Sequence, residues 1–159
     1  MPISIRPACV QDAHDVARLT GQLGYDTTPA EATARLTHIL ARWDQRFLIA
    51  DVDGQAAGWL HAALAEFIEA EPFAVIAGLV VDRDHRRQGI GRLLIEAAEV
   101  WARERGCSLI RLWSSVARAD AHAFYEHLGY ANVKTQHAFA KALDVAGQQQ
   151  MSRAVPRVK

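Results

Sequence analysis

Residues 73–115 spell a strand, a glycine turn, a helix and a second strand, and no other part of the chain restricts the fold as much. The run 73–81 is apolar and rich in β-branched residues. It breaks off in the charged turn Asp82-Arg83-Asp84-His85-Arg86-Arg87-Gln88, and Gly89-Ile90-Gly91 then opens an amphipathic stretch. Over 91–105 the spacing predicts a helix that turns Ile90, Leu93, Leu94, Ala97 and Trp101 inward and pairs Glu99 with Arg103 on its wet side. Gly106 closes it, and 108–115 reads as the next strand. Two strands joined through one helix run parallel with a right-handed crossover, so the chain is of the α/β class.

The glycines also point to chemistry. Glycine lets backbone N–H groups approach a ligand with no Cβ in the way and tolerates positive φ. A helix start adds unpaired N–H donors and the positive end of the helix dipole. Such a turn cradles a phosphate or diphosphate. It is not a Walker loop, which needs Gly-Lys-Ser/Thr where this chain has Gly91-Arg92-Leu93. Nor is it a dinucleotide fingerprint, whose third glycine is replaced by Leu94.

The flanking sequence fills in the sheet. Ile3 and Ile5 alternate with polar neighbours as a first strand to about Pro7, and 11–23 reads as a helix closed by Gly24. Thr28-Pro29-Ala30-Glu31 has the form of a capping box, starting a second helix with Leu36, Ile39, Leu40 and Trp43 on one side. Residues 47–52 and 55–62 flank the Asp53-Gly54 turn as a hairpin, and 66–72 reads as a link to the strand 73–81. A short helix over 120–128 ends at Gly129, and 132–143 reads as a last strand or pair of strands. The domain thus spans 1–143, with 144–159 expected as a partly mobile tail.

Composition removes several classes. At 159 residues, half of them hydrophobic, the chain suits one domain with a real core. Its 18 basic and 18 acidic residues cancel, which disfavours a general nucleic-acid binder. No apolar run is long enough for a membrane span, and the N-terminus lacks the layout of a secretory signal. Cys9 and Cys107 form no C-x-x-C pair and fit a reducing cytoplasm. The seven histidines make no metal set; His122 and His127 are five apart and off one helix face.

The pattern Arg86-x-x-Gly89-x-Gly91, after the strand that ends Leu79-x-Val81, resembles the acyl-CoA pyrophosphate loop of the GNAT superfamily of N-acetyltransferases. Ala121-His122-Ala123-Phe124-Tyr125-Glu126-His127-Leu128-Gly129-Tyr130 resembles the same family's A-x-x-x-Y-x-x-x-G-[FY] signature, and the order of elements agrees from Ile3 to Leu143. The resemblance implies a single-domain α/β (α+β) GNAT-like fold, with a mixed central sheet, splayed parallel strands and flanking helices. It implies acetyl-CoA as cosubstrate, held by Leu79, Val80 and Val81 along the pantetheine arm. Arg86, Arg87, Gln88, Gly89, Ile90 and Gly91 would hold the pyrophosphate. Tyr125 would protonate the departing thiolate, a task that suits a phenol at pH 7. At Arg118 the chain departs from the asparagine of many relatives; Arg118 either meets a phosphate or lies on a solvated turn.

An amine acceptor arrives as ammonium and must lose a proton before it attacks. Glu66, Glu69 and Glu71 cluster before the central strand where the family often places a base, with Glu69 and Glu71 the leading candidates and His61 and His122 weaker ones. Tyr25, Trp59 and Trp113 are candidates to line the acceptor pocket, and the resemblance implies that 24–45 is its variable wall. The expected activity is direct acetyl transfer to the primary amine of a small cationic molecule, aminoglycoside- or polyamine-like. A protein amine remains open as acceptor, as does a non-catalytic acyl-CoA-binding module, which would keep the loop but have no use for Tyr125. Many members of the family pair through sheet edges or the C-terminal strand, which leaves a homodimer open. The expected setting is cytoplasmic, with no nucleic-acid or membrane partner.

Overall fold

The structure is a computed structural model that describes residues 2–154. The chain divides at Leu112/Trp113 into two compact units, which are described in turn.

The first unit is a five-stranded mixed sheet in the order β1-β2-β3-β4-β5, with helices on its two faces. Strands β1 (Ile3–Pro7), β2 (Gln45–Val52), β3 (Gln55–Phe67) and β4 (Ala70–Val81) run antiparallel; β5 (Ile110–Leu112) joins β4 in parallel. The Asp53-Gly54 turn takes positive φ at both residues, the geometry that matches the twist of a two-residue hairpin. Residues 66–72, expected as a link, are instead the tip of a second hairpin in which Phe67 pairs with Ala70. The Phe67 ring meets that of Phe73 edge-on at 5.4 Å, an apolar contact that lengthens both strands.

Helices α1 (Ala13–Gln22) and α2 (Pro29–Leu40) cover one face. The capping box at α2 forms as expected: Thr28 Oγ1 accepts from Glu31 N–H, and Glu31 accepts from Thr28 N–H. Val16, Leu19 and Leu36 pack with Phe47, Ile49, Trp59 and Val80 of the sheet. Trp43 falls beyond the end of α2 and is 69% exposed, so it is no part of that core.

Side chains alternate across a strand, so Gly58 faces opposite to Trp59, toward α3 (Ile90–Glu104). A Cβ on Gly58 would lie 2.8 Å from Val80 O, 3.3 Å from Ile90 Cγ2 and 3.4 Å from Leu94 Cδ1. The missing side chain is what lets the first turns of α3 approach the sheet. The buried stripe of α3 is Ile90, Leu94, Ile95, Ala98, Trp101 and Ala102; Leu93 turns outward instead, and Arg92 pairs with Glu96 at 2.7 Å on the wet face.

The second unit holds α4 (Ala119–His127) and α5 (Val145–Ala154). The expected strand over 132–143 is absent: no ladder forms there among the described residues, and Val133, Phe139 and Leu143 are exposed. A strand-like stretch does not form a strand without a partner to pair with. Within the tail expected to be partly mobile, α5 forms a helix capped by Asp144, which accepts from Gly147 N–H at 2.8 Å. Residues 155–159 of that tail lie outside the described residues.

Candidate active site

The site is built on the end of β4. Its parallel ladder with β5 has only three rungs, Ala74–Ile110, Val75–Arg111 and Ile76–Leu112. Past Ile76 no strand pairs with that side of β4 among the described residues. On the other side the register with β3 slips by one residue, from Ala62–Ile76 to His61–Gly78, leaving Ala77 as a bulge. The slip reverses which residues aim their backbone groups at which edge. Asp82 N–H donates to Ala57 O of β3 at 2.8 Å. N–H groups alternate along a strand, so those of Leu79 and Val81 point to the open edge. Val80, expected beside them, turns its backbone to β3 and its side chain into the α1/α2 core.

The glycine turn follows directly. Gly89 caps α3 with φ +82°, and Arg87 takes φ +62°, a left-handed conformation uncommon outside glycine. No side chain caps the helix and no acidic residue stands in its first turn, so its N–H groups and dipole are left for an outside anion. Arg86, Arg87 and Gln88 are exposed around them, while Ile90 anchors the turn in the core.

Sequence reasoning missed the brace behind this turn. Asp82 is buried, and its carboxylate accepts from Arg18 Nη1 at 2.6 Å, Gln22 Nε2 at 3.3 Å and Asp84 N–H at 3.2 Å. Gln22 Oε1 in turn accepts from Arg83 N–H at 3.0 Å, and Arg18 Nη2 donates to Ala56 O at 2.9 Å. Burial raises the Asp82 carboxyl pKa, but these donors outweigh it and hold it below the ordinary aspartate value. The signal was present in the sequence: Arg18 and Gln22 are four apart on the polar side of α1. Lone glycines inside strands, Gly58 and Gly78, were a second signal.

The acidic candidates are carried by the β3–β4 hairpin. Glu66, Glu69 and Glu71 are exposed at the tip of the β3–β4 hairpin. Glu71 stands seven positions before Gly78 on β4, about 20 Å of strand. His61 is half-buried directly opposite Gly78. Its Nε2 lies 2.6 Å from Gln45 Oε1, and burial pushes the imidazole below its ordinary pKa. Of the aromatic candidates, Trp59 is buried against Gly78, whereas Tyr25 is exposed after α1.

In the second unit, Tyr125 lies on α4, its ring edge-on to Phe124 at 5.2 Å and to Tyr130 at 6.0 Å. Burial raises its phenol pKa and the nearby Arg118 charge works against that, leaving it raised: a protonated donor at neutral pH. Arg118 stands at the N-cap of α4, with its N–H on Ser115 O at 3.0 Å. His122 Nε2 is taken up by Ser115 O at 2.8 Å, and Trp113 is exposed. Among the described residues no cluster could hold a metal ion, and no helix is long and apolar enough to cross a membrane.

An open strand edge leading into an uncapped, arginine-flanked helix start fits the amides and diphosphate of coenzyme A. Known proteins agree. Residues 12–130 match the acetyltransferase (GNAT) family. An aminoglycoside N(6')-acetyltransferase type 1 from Acinetobacter haemolyticus is 28% identical over 146 residues, covering 89% of this chain and 100% of that protein. The apo crystal structure of aminoglycoside 6'-N-acetyltransferase AAC(6')-Ig from the same organism aligns with a TM-score of 0.77 at 27% identity, over 89% of this chain and 99% of its own. At 21% identity, AAC(6')-Iy in complex with the bisubstrate analogue CoA-S-monomethyl-acetylneamine shares the fold, with a TM-score of 0.81 over 89% of this chain and 99% of its own. The chain belongs to the GNAT acetyltransferase family and is an N-acetyltransferase with acetyl-CoA as its cosubstrate.

Proposed function

We propose that the chain transfers the acetyl group of acetyl-CoA directly to the primary amine of a small cationic molecule, aminoglycoside- or polyamine-like, in a ternary complex with no covalent enzyme intermediate. The observation that carries the reading is the open β4 edge running into the uncapped start of α3. The backbone of Leu79 and Val81 pairs with the pantetheine arm as an added strand would. Amides from Arg87 to Gly91 take the diphosphate, and Arg86 and Arg87 add charge. A β4 amide of the same edge donates to the thioester oxyanion. Tyr125 protonates the departing thiolate, with Arg118 tuning its phenol.

The acceptor class rests on the relatives named for aminoglycosides and on the carboxylates of Glu66, Glu69 and Glu71 at one hairpin tip. Their distance from Gly78 gives Glu69 and Glu71 the work of drawing in a cation rather than taking its proton. Unpaired Cys9 and Cys107 agree with a reducing cytoplasm. The outer edges of β1 and β5 suit a homodimer, which light scattering tests.

The deciding experiment follows free-thiol release from acetyl-CoA with aminoglycosides, polyamines, amino acids and short peptides as acceptors. Release that depends on an aminoglycoside or polyamine is expected. Reaction with peptides alone moves the acceptor to a protein amine, and silence across the panel with tight CoA binding in a calorimeter favours a binding module.

A further inference from the structure

We infer that His61 is the general base of the reaction, its Nδ1 accepting the proton that the acceptor ammonium must lose. The inference deepens the reading above and rests on it.

The argument is one of register and tautomer. His61 sits opposite Gly78 at the slip in the β3–β4 ladder, across β4 from the open edge given to the thioester arm. Cα atoms paired across such a ladder lie about 5 Å apart, which puts His61 one strand from that edge. Its side chain is on the α1/α2 face: the ring stacks on Phe47 at 5.4 Å, and Phe47 belongs to that core. On the same face Trp59 fills the space where Gly78 has no Cβ, with its ring atoms 2.8 and 2.9 Å from that position. Apart from Gln45, the side chains flanking His61 on this face are therefore the aromatic rings of Phe47 and Trp59.

Gln45 decides which nitrogen is the base. Its Oε1 can only accept, so His61 Nε2 carries the hydrogen at 2.6 Å and Nδ1 keeps a lone pair. No hydrogen bond within the described residues uses Nδ1. Gln45 thus holds the ring in one tautomer and orientation, as the third member of a nucleophile–base–orienter set does. The ladder partners of His61, Phe47 and Gly78, and its hydrogen-bond partner Gln45 are uncharged, and burial keeps the ring neutral at pH 7. Across the ladder His61 stands opposite Gly78, whereas Glu71 is seven positions before Gly78 on β4 and Glu66 and Glu69 are at the hairpin tip.

The step balances. The ammonium gives one proton to Nδ1, and the freed lone pair forms the C–N bond to the thioester carbonyl. The C–S bond breaks and sulfur takes the proton of the Tyr125 phenol. The second amine proton restores the phenol, and the imidazolium releases its own to solvent.

The test compares wild type, His61→Gln and His61→Ala on the panel amine that supports fastest thiol release, with CoA affinity measured by calorimetry. We expect kcat about 100-fold lower in both variants with CoA affinity unchanged. Added imidazole should restore His61→Ala at least about tenfold and leave His61→Gln unmoved, because only the alanine leaves a hole of the right shape. A His61→Gln enzyme within about threefold of wild-type kcat removes the base and leaves the acetyl-transfer reading standing. Losses that imidazole cannot rescue and that CoA binding shares make His61 a packing residue and overturn the inference. A wild type silent on every amine overturns the small-amine reading, and the base falls with it.

Discussion

Arg18 Nη1 lies 2.6 Å from Asp82 Oδ2, tying the middle of α1 to the first residue beyond β4. The pair does more than close a loop. Asp82 is where the open edge of β4 ends and the glycine turn begins, and Gln22 holds the next residue by its N–H. The helix that walls one face of the sheet and the turn that receives the diphosphate are thereby braced together. Asp82→Ala removes three donors' acceptor at once and leaves Arg18 without its main partner. Stability should fall by about 1–3 kcal/mol, the lower end applying because Arg18 is partly solvated. The sharper readout is CoA affinity by calorimetry, expected to fall about tenfold with the thiol-release kcat at saturating acetyl-CoA moving less. Equal affinity in the variant and wild type would detach the brace from cosubstrate binding.

Gly58→Ala tests how closely α3 must sit on the sheet. The added methyl meets the Val80 carbonyl oxygen at 2.8 Å, and that oxygen belongs to backbone that cannot swing away. Either α3 or β4 shifts, at a cost of about 1–3 kcal/mol. Because the shift falls at Ile90, the anchor of the phosphate turn, a raised KM for acetyl-CoA should accompany a lower denaturation midpoint. A variant that loses stability but keeps KM would show that the turn tolerates movement of its helix.

Acid should loosen the first unit at two places. Burial raises the carboxyl pKa at both Asp12 and Asp82, and hydrogen bonds outweigh it: Arg6 and the Cys9 N–H at Asp12, Arg18 and the Asp84 N–H at Asp82. Both folded values lie below the ordinary aspartate value near about 4. Groups lowered by folding contribute stability that is fully present above that value and is lost as pH falls through the folded values. Urea midpoints should therefore drop steeply below about pH 4, after the smaller decline that begins below about pH 6.5 as unfolding lets the buried His61 imidazole take up a proton. Asp82→Asn should shrink that drop while lowering the midpoint at pH 7; an unchanged acid limb would mean Asp82 titrates alike in both states.

Much of the first unit was legible because its signals are local. The capping box at Thr28, the Asp53-Gly54 hairpin and the strand–turn–helix of 73–105 each depend on a few neighbouring residues. What sequence could not give was pairing. Residues 66–72 looked like a link because charges interrupt the apolar pattern, yet the Phe67–Phe73 contact closes them into a hairpin. Residues 132–143 read as a last strand or pair of strands and form none. The site divides the same way: the loop residues are contiguous and were readable, whereas Arg18–Asp82 and His61–Gln45 join residues 64 and 16 positions apart. No local pattern announces a contact of that range. The bulge at Ala77, which decides that Leu79 and Val81 rather than Val80 face the open edge, is a property of the ladder and not of either strand.

Tyr125→Phe separates binding from turnover. The phenol is held protonated by burial against the opposing charge of Arg118, so it is a donor throughout the neutral range. Removing only the oxygen leaves the ring contacts with Phe124 and Tyr130 in place. A kcat lower by about 100-fold, with CoA affinity and melting temperature unchanged, is the result expected of a group that protonates the leaving sulfur. Arg118→Gln supplies the electrostatic check. Loss of its charge lets the phenol pKa rise further, which weakens the acid, so kcat should fall modestly in Arg118→Gln and not fall further in the double variant with Tyr125→Phe. Additive losses would give Arg118 a role of its own at a phosphate, and full activity in Tyr125→Phe would leave the thiolate to be protonated by solvent.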